Sequence, residues 1–217
     1  MASINKKTNG NPNKKVRDRL LDTAEELFCE NGFDGTSVRD IARSADCNIA
    51  SVNYYFGSKE NLYIEMFRRH VSKLLDEQIK NIQRIMNLNH PTIDQLIRTL
   101  VTLALKSFNN NKGKRPLIKM MVREMLHPHL KTEIVFDEVI SKFFIELHKA
   151  IMKLCPELKP ENGMLCIYFL DGIILHALLF MEFYYVHCPI LKVDDLIEHI
   201  VHFSTAGIRS YIEGKTE

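Results

Sequence analysis

Asn53 carries the chemistry in this chain best suited to reading a nucleic-acid base. Its side-chain amide can donate to and accept from the N6–N7 edge of adenine in a DNA major groove. It lies in the run Thr36-Ser-Val-Arg-Asp-Ile-Ala-Arg-Ser-Ala-Asp-Cys-Asn-Ile-Ala-Ser-Val-Asn-Tyr-Tyr-Phe-Gly-Ser-Lys-Glu60. There Ala50 can meet a thymine methyl, while Tyr54, Tyr55 and Lys59 suit phosphates, which set register without reading sequence. Thr36, Ser37, Arg39 and Ser51 complete the contact candidates of the run. For either tyrosine alone, packing in a core is as good a reading as a phosphate contact.

Those side chains need two short helices and a tight turn to present them. Ser37 is placed to cap a helix, with Asp40 three residues on completing a capping box. Val38, Ile41, Ala42 and Ala45 then share one face. The turn falls at Asp46-Cys47, and Asn48 is a strong N-cap for the next helix. In that helix Ile49, Val52 and Phe56 are expected inward, leaving Ala50, Ser51, Asn53, Tyr54 and Tyr55 outside. Gly57 can end the helix in a left-handed conformation, and Ser58 opens another, with Lys59 in a first turn that already favours a phosphate. The pattern is a helix–turn–helix, which places its second helix in a major groove.

With Arg19-Leu-Leu-Asp-Thr-Ala-Glu-Glu-Leu-Phe and Asn31-Gly-Phe-Asp-Gly before it, this run resembles the N-terminal domain of the TetR family of bacterial transcriptional regulators. The likeness covers residues 16 to 62, with Gly-Phe-x-x-Thr-Ser, x-Ile-Ala, Tyr-Tyr-Phe and Ser-Lys-Glu in order. The segment Ser51-Val52-Asn53-Tyr54-Tyr55-Phe56-Gly57-Ser58-Lys59-Glu60 is similar to a subgroup with Val-Asn-Tyr in place of the commoner Thr-Leu-Tyr. Two departures stand out. Asp46 occupies a turn position where the family usually has Gly, at some strain cost if φ is positive. Cys47 replaces the usual aliphatic residue, and a buried free Cys behaves as a small hydrophobe.

The rest of the chain reads as helix after helix, with apolar registers over residues 14–31, 58–87, 92–108, 116–126, 128–154, 161–187 and 193–213. Asn109–Arg115 is expected as a polar surface loop. With the two helices of the motif this makes an all-α chain of about nine helices, the count the resemblance also implies. A three-helix head over residues 1–57 precedes a helical body over residues 58–217.

Composition narrows the function classes. A net charge of +2 with 26% charged residues argues against general coating of polyanions. The basic residues are unevenly placed, however. Lys6, Lys7, Lys14, Lys15 and Arg17 precede the first acidic residue, Asp18. Lys14, Lys15 and Arg17 therefore join the DNA-contact candidates, as an arm on phosphates or in the minor groove. The five cysteines are scattered and form no Cys-x-x-Cys, so the expectation is reduced thiols in a cytoplasmic protein without a signal peptide. The apolar run Met164–Met181 is marginally long enough to span a bilayer. It carries Asp171, Gly172 and His176 centrally, so a helix packed between a core and a partner subunit is the preferred reading.

No Gly-rich phosphate loop, nucleophile elbow or His-Glu-x-x-His occurs, so nothing supports an enzyme. His127-Pro128-His129 and His187-Cys188 offer two metal ligands each but no third or fourth. Neither a metal nor a cofactor is expected.

The resemblance implies a ligand pocket in the body and a homodimer interface over about 161–187 and 193–213. Pocket candidates are Leu100, Leu103, Phe108, Met120, Met121, Arg123, Met125, Phe143, Phe144, Leu147, Tyr168, Asp171 and His176. Each such apolar residue is more often plain core. The apolar excess favours a hydrophobic or amphipathic small-molecule effector, with Arg123 or His176 able to anchor an anionic group. The expected protein is a homodimeric repressor on a palindromic double-stranded operator, with half-sites about 34–36 Å or a multiple apart. Effector binding would swing the helix beginning at Ser58 and change the spacing of the heads. A DNA-binding module without an effector, nucleoid-type or partner-controlled, is the alternative; an enzyme with a vestigial head is a third.

Overall fold

Capping and apolar periodicity are realised almost helix by helix in a computed structural model, which describes residues 12–110, 114–126 and 140–213. Among these residues there are nine helices and no strand. They are α1 (Pro12–Asn31), α2 (Val38–Ser44), α3 (Ile49–Phe56), α4 (Lys59–Met86), α5 (Ile93–Asn110), α6 (Lys114–Leu126), α7 (Ser141–Leu154), α8 (Pro160–His187) and α9 (Val193–Glu213). The expected loop Asn109–Arg115 is shorter than anticipated, because α5 continues to Asn110 and α6 begins at Lys114. Pro116 does not exclude Lys114 and Arg115 from α6, since proline is tolerated in a first helical turn, where its missing N–H is unneeded. The 128–139 part of the expected 128–154 helix, with His127-Pro128-His129, lies outside the described residues.

The core has two clusters. Leu20, Leu21, Ala24 and Phe28 of α1, Ile41, Ala42 and Ala45 at α2, and Val52 and Phe56 of α3 pack together with Leu62, Tyr63, Met66, Phe67 and Val71 of α4 and with Met120 of α6. The second cluster joins α4, α5, α7, α8 and α9 around Leu96, Ile97, Val101, Ile151, Ile167, Met181 and Ile200. The expected division after residue 57 follows the chain, whereas the packing divides midway along α4. The first half of that helix belongs to the head core and the second half faces the body.

Ion pairs brace each half. Arg17 pairs with Glu65, Arg69 with Asp22 at 2.9 Å, and His70 Nε2 lies 2.7 Å from Glu25 Oε2, so α1 is stitched along α4. Across α5 and α9, Arg98 grips Glu198 through both carboxylate oxygens, Arg209 pairs with Asp94, and Lys106 with Asp194 at 2.8 Å.

Helix α8 is long enough to cross a bilayer, and its most apolar 18 residues have a mean hydropathy of 2.1. One side of it, including Gly163, Ile167, Leu170, Ala177, Leu178 and Met181, is buried in the core. The other side leaves Leu165, Phe169, Phe180, Phe183 and Val186 exposed, and Phe203 of α9 is exposed as well.

Candidate nucleic-acid interface and the cavity behind it

The geometry of α2 and α3 is dictated by short polar side chains. Ser37 Oγ accepts from the Asp40 N–H at 3.1 Å, and Asp40 Oδ2 accepts from the Ser37 N–H at 3.3 Å, closing the capping box. The Ser37 hydroxyl and N–H both donate to the Asp40 carboxylate, which holds that carboxyl below its ordinary pKa. Asp46 turns the chain with φ +49°, the left-handed conformation expected of the residue standing where glycine is usual. Arg19 secures that turn, donating to the Asp46 carbonyl at 3.2 Å and to Cys47 Sγ at 3.2 Å. Asn48 Oδ1 accepts from the Ala50 N–H at 2.9 Å, so α3 starts at a fixed orientation. Gly57 ends it with φ +77°, and Ser58 Oγ caps α4 through the Asn61 N–H.

On the resulting surface Ala50, Asn53 and Arg39 are exposed and Ser51 is half-buried. Tyr54 is 78% exposed, while Tyr55 is half-buried against the head core, so the two tyrosines part company. Their rings meet edge to face at 4.9 Å. Lys59 Nζ lies 4.1 Å from the centre of the Phe33 ring, a cation–π contact that holds the ammonium near the start of α4. Lys15 is exposed on α1, whereas Arg17 is held by Glu65 and lies 5.4 Å over the Phe56 ring. The side chain of Lys14, like Lys6 and Lys7, lies outside the described residues.

Two expectations for the head change, and a third, the capping of α2 by Ser37, holds. Thr36 is only 2% exposed, and its hydroxyl lies 3.1 Å and 2.9 Å from the carbonyl oxygens of Leu27 and Gly32, joining the end of α1 to α2. Its hydroxyl is thereby occupied inside the fold. Ser37 is occupied as a cap. Ile49, expected inward, is 42% exposed in the first turn of α3. A first-turn position stands at the rim of the apolar stripe, and periodicity alone does not decide its side.

Behind the head, α4, α5, α6, α7 and α8 enclose a cavity of about 160 Å³. Leu100, Met121, Phe143, Leu147 and Asp171 of the sequence-derived candidates line it. The others go elsewhere. Met120 is fully buried in the head cluster. Arg123 reaches the end of α1, where its Nη1 lies 2.5 Å from the position a β-carbon on Gly32 would take. Glycine is required at that position twice over, since its φ is also +77°. Leu103 is half-buried and off the cavity wall. Phe144 packs against Tyr168 at 5.8 Å. Tyr168 and His176 lie in a shallow groove between α8 and α9, where His176 stacks on Phe180 at 4.6 Å and its Nδ1 is 2.8 Å from the Tyr184 hydroxyl. Neither Arg123 nor His176 is therefore at hand to anchor an anion in the cavity. The side chains of Phe108 and Met125 lie outside the described residues.

Sequence reasoning missed the contribution of α4, which supplies Leu74, Leu75 and Gln78 to the cavity wall. Gln78 is 8% exposed, and its Oε1 has no hydrogen-bond partner among the described residues. A glutamine in register with Leu74, Leu75 and Ile82 on an otherwise apolar face was the available signal. Asp171 stands solvent-accessible among apolar neighbours, which push its carboxyl above its ordinary pKa.

Two helices touch both sites. On α4, Tyr63 and Val71 sit in the head core and Leu74, Leu75 and Gln78 on the cavity. On α6, Ile118, Met121 and Val122 line the cavity while Met120 fills the head core. The buried Tyr63 hydroxyl donates to Glu124 Oε1 at 2.8 Å and bonds the two helices directly.

Residues 20–66 match the family profile described as bacterial regulatory proteins, tetR family. The match spans most of α1, all of α2 and α3, and the start of α4. Over 137 residues the chain is 29% identical to the "Probable HTH-type transcriptional regulator YttP" of Bacillus subtilis, covering 58% of this chain and 64% of that one. Over 48 residues it is 44% identical to the "Biofilm operon icaADBC HTH-type negative transcriptional regulator IcaR" of Staphylococcus aureus, covering 22% of this chain and 26% of that one. The alignments thus span under two thirds of the first relative and about a quarter of the second. The TetR-type head continues into a body of the same fold as solved regulators. The transcriptional regulator FadR from Bacillus subtilis in complex with stearoyl-CoA superposes with a TM-score of 0.67, at 15% identity, over 88% of this chain and 98% of that one.

Proposed function

We propose that this chain is a ligand-responsive transcriptional regulator, a repressor that binds a palindromic operator as a homodimer in the bacterial cytoplasm. In this reading residues 1–57 form the DNA-binding head and residues 58–217 the ligand-binding and dimerisation body, with α4 shared between them. The observation that carries it is α3, whose capped start and buried Val52 and Phe56 leave Ala50, Asn53 and Tyr54 facing outward for a major groove. Asn53 reads adenine, Ala50 and Ile49 offer apolar contact to a thymine methyl, and Arg39, Tyr54, Lys59 and Lys15 meet phosphates. The negative regulation named for the Staphylococcus aureus relative supports repression.

The open apolar side of α8 with Phe203 of α9 is the dimer surface in this reading, because a two-fold contact buries the same patch on both subunits. The stearoyl-CoA held by a neighbour of the same fold supports a body that holds a small molecule. Ligand in the cavity acts on the head through α4 and α6, with coupling of about 1–3 kcal/mol for such switches.

Selection of bound fragments from the source genome tests this, with an Asn53→Ala, Lys59→Ala double variant alongside. A palindromic consensus lost in the variant is expected. Equal, weak binding to all sequences that collapses with salt would contradict sequence-specific regulation.

A further inference from the structure

The cavity wall is chemically one-sided. Among the described residues that line it, Asp171 is the only charged side chain and Gln78 the only other with a side-chain hydrogen-bonding group. No lysine, arginine or histidine is among them. Both exceptions offer oxygen acceptors. Gln78 Oε1 is buried with no donor among the described residues, an unfavourable state for an amide oxygen withdrawn from water. Asp171 makes no ion pair or hydrogen bond with the described residues; its apolar neighbours disfavour its charge, and no nearby cation offsets this.

A buried acceptor without a donor, and a carboxylate without a cation, specify what is missing. We propose that the cavity binds an apolar amine, a hydrophobic body bearing a protonated, hydrogen-bond-donating nitrogen, through Asp171 and Gln78. The inference rests on the ligand-responsive reading above and names its ligand class. An ammonium supplies both the charge that Asp171 lacks and the N–H that Gln78 lacks, while leucine, isoleucine and phenylalanine walls take the hydrocarbon. A carboxylate ligand would put a second negative charge beside Asp171 and a further acceptor near Gln78, with no cation from the described wall to offset either. An apolar alcohol can satisfy Gln78 but leaves Asp171 as it was.

The test uses the full-length protein and four probes with the same eight-carbon tail: octylammonium, octyltrimethylammonium, octanol and octanoate, titrated calorimetrically. Octylammonium is expected to bind at least about tenfold tighter than octanol, with octanoate weakest. Asp171→Asn is expected to abolish the advantage of octylammonium over octanol. Gln78→Leu is expected to weaken octylammonium several-fold but leave octyltrimethylammonium, which has no N–H, unchanged. Both variants are melted alongside, so a loss of affinity with an intact fold is attributable to the cavity.

A preference for octanoate, or equal affinity for all head groups, would overturn the assignment of an amine while leaving a ligand-responsive body standing. Full octylammonium affinity in Asp171→Asn would overturn it in the same way. Absence of binding by all four probes would overturn both this proposal and the cavity as an effector site, leaving the DNA-binding head untouched.

Discussion

Thr36 in the head and Gln78 in the body are both polar residues withdrawn almost wholly from water, at 2% and 8% exposure, yet their surroundings treat them in opposite ways. The Thr36 hydroxyl has two carbonyl oxygens within reach, and its neighbours follow suit. Ser37, Asn48 and Ser58 each cap a helix, and the Tyr63 hydroxyl has Glu124. Gln78 Oε1 has no partner among the described residues, and the lone acid on the same cavity, though reached by solvent, stands among apolar neighbours with no cation on the described wall. A buried polar group with its partner in place is architecture, and removing it costs stability. A buried polar group without one weakens the fold where it sits and is open to a partner that arrives from outside.

The sharpest way to break this comparison is at the exposed face of the head, where polar groups are unpaired because they face solvent rather than a core. The Asn53→Ala, Lys59→Ala double variant is expected to lose about 100-fold or more in operator affinity, from a base contact worth about 1–3 kcal/mol and a phosphate contact. Fluorescence anisotropy at several salt concentrations should show discrimination between operator and random DNA collapsing and the salt slope falling by about one unit. Because Lys59 also lies over Phe33, thermal melting is measured in parallel.

Within the buried part of the head, Tyr63→Phe removes the hydroxyl that meets Glu124 and is expected to cost about 1–3 kcal/mol in chemical denaturation. Ser37→Ala removes an N-cap and half of a capping box, for about 0.5–2 kcal/mol. The same kind of deletion in the cavity should have the opposite sign. Gln78→Leu removes an unsatisfied acceptor and is expected to leave the ligand-free protein as stable as before or slightly more so.

Asp171→Asn is the smallest of these effects and carries a pH signature. The Asp171 carboxyl is raised above its ordinary value by desolvation, so the folded protein holds that proton more tightly than the unfolded chain. Stability therefore falls as pH rises from about 4, the ordinary aspartate pKa, through the raised value. The melting-temperature advantage of Asp171→Asn should widen over that window and then level off, whereas a flat difference from acid to neutral pH would argue against it.

Much of the head was legible because capping is local chemistry. Ser37 with Asp40, the turn at Asp46, Asn48 and the stop at Gly57 each depend on residues within about four positions of one another. Thr36 and Ile49 were misread for a different reason. Thr36 is decided by the carbonyls of Leu27 and Gly32 at the end of α1, and Ile49 by its place at the rim of the apolar stripe, neither of which periodicity within the motif fixes. The body was harder still. Its helices were legible as apolar registers, but α8 is apolar on all sides, so its sequence did not separate Asp171 and Leu170 on the cavity from Tyr168 and His176 on the outer groove. Nor did the registers reveal that Met120 lies wholly within the head core while Met121, next in sequence, packs against that core and also lines the cavity. That division makes α6 a bridge, and it is a property of the packing alone.

The most direct test of coupling between head and cavity is a closed thermodynamic cycle. Operator affinity would be measured with and without saturating octylammonium, and octylammonium affinity with and without operator. Coupling through α4 and α6 predicts that the two affinities fall by the same factor, about 5- to 150-fold. Tight operator binding that octylammonium leaves unchanged, despite its occupying the cavity, would contradict it.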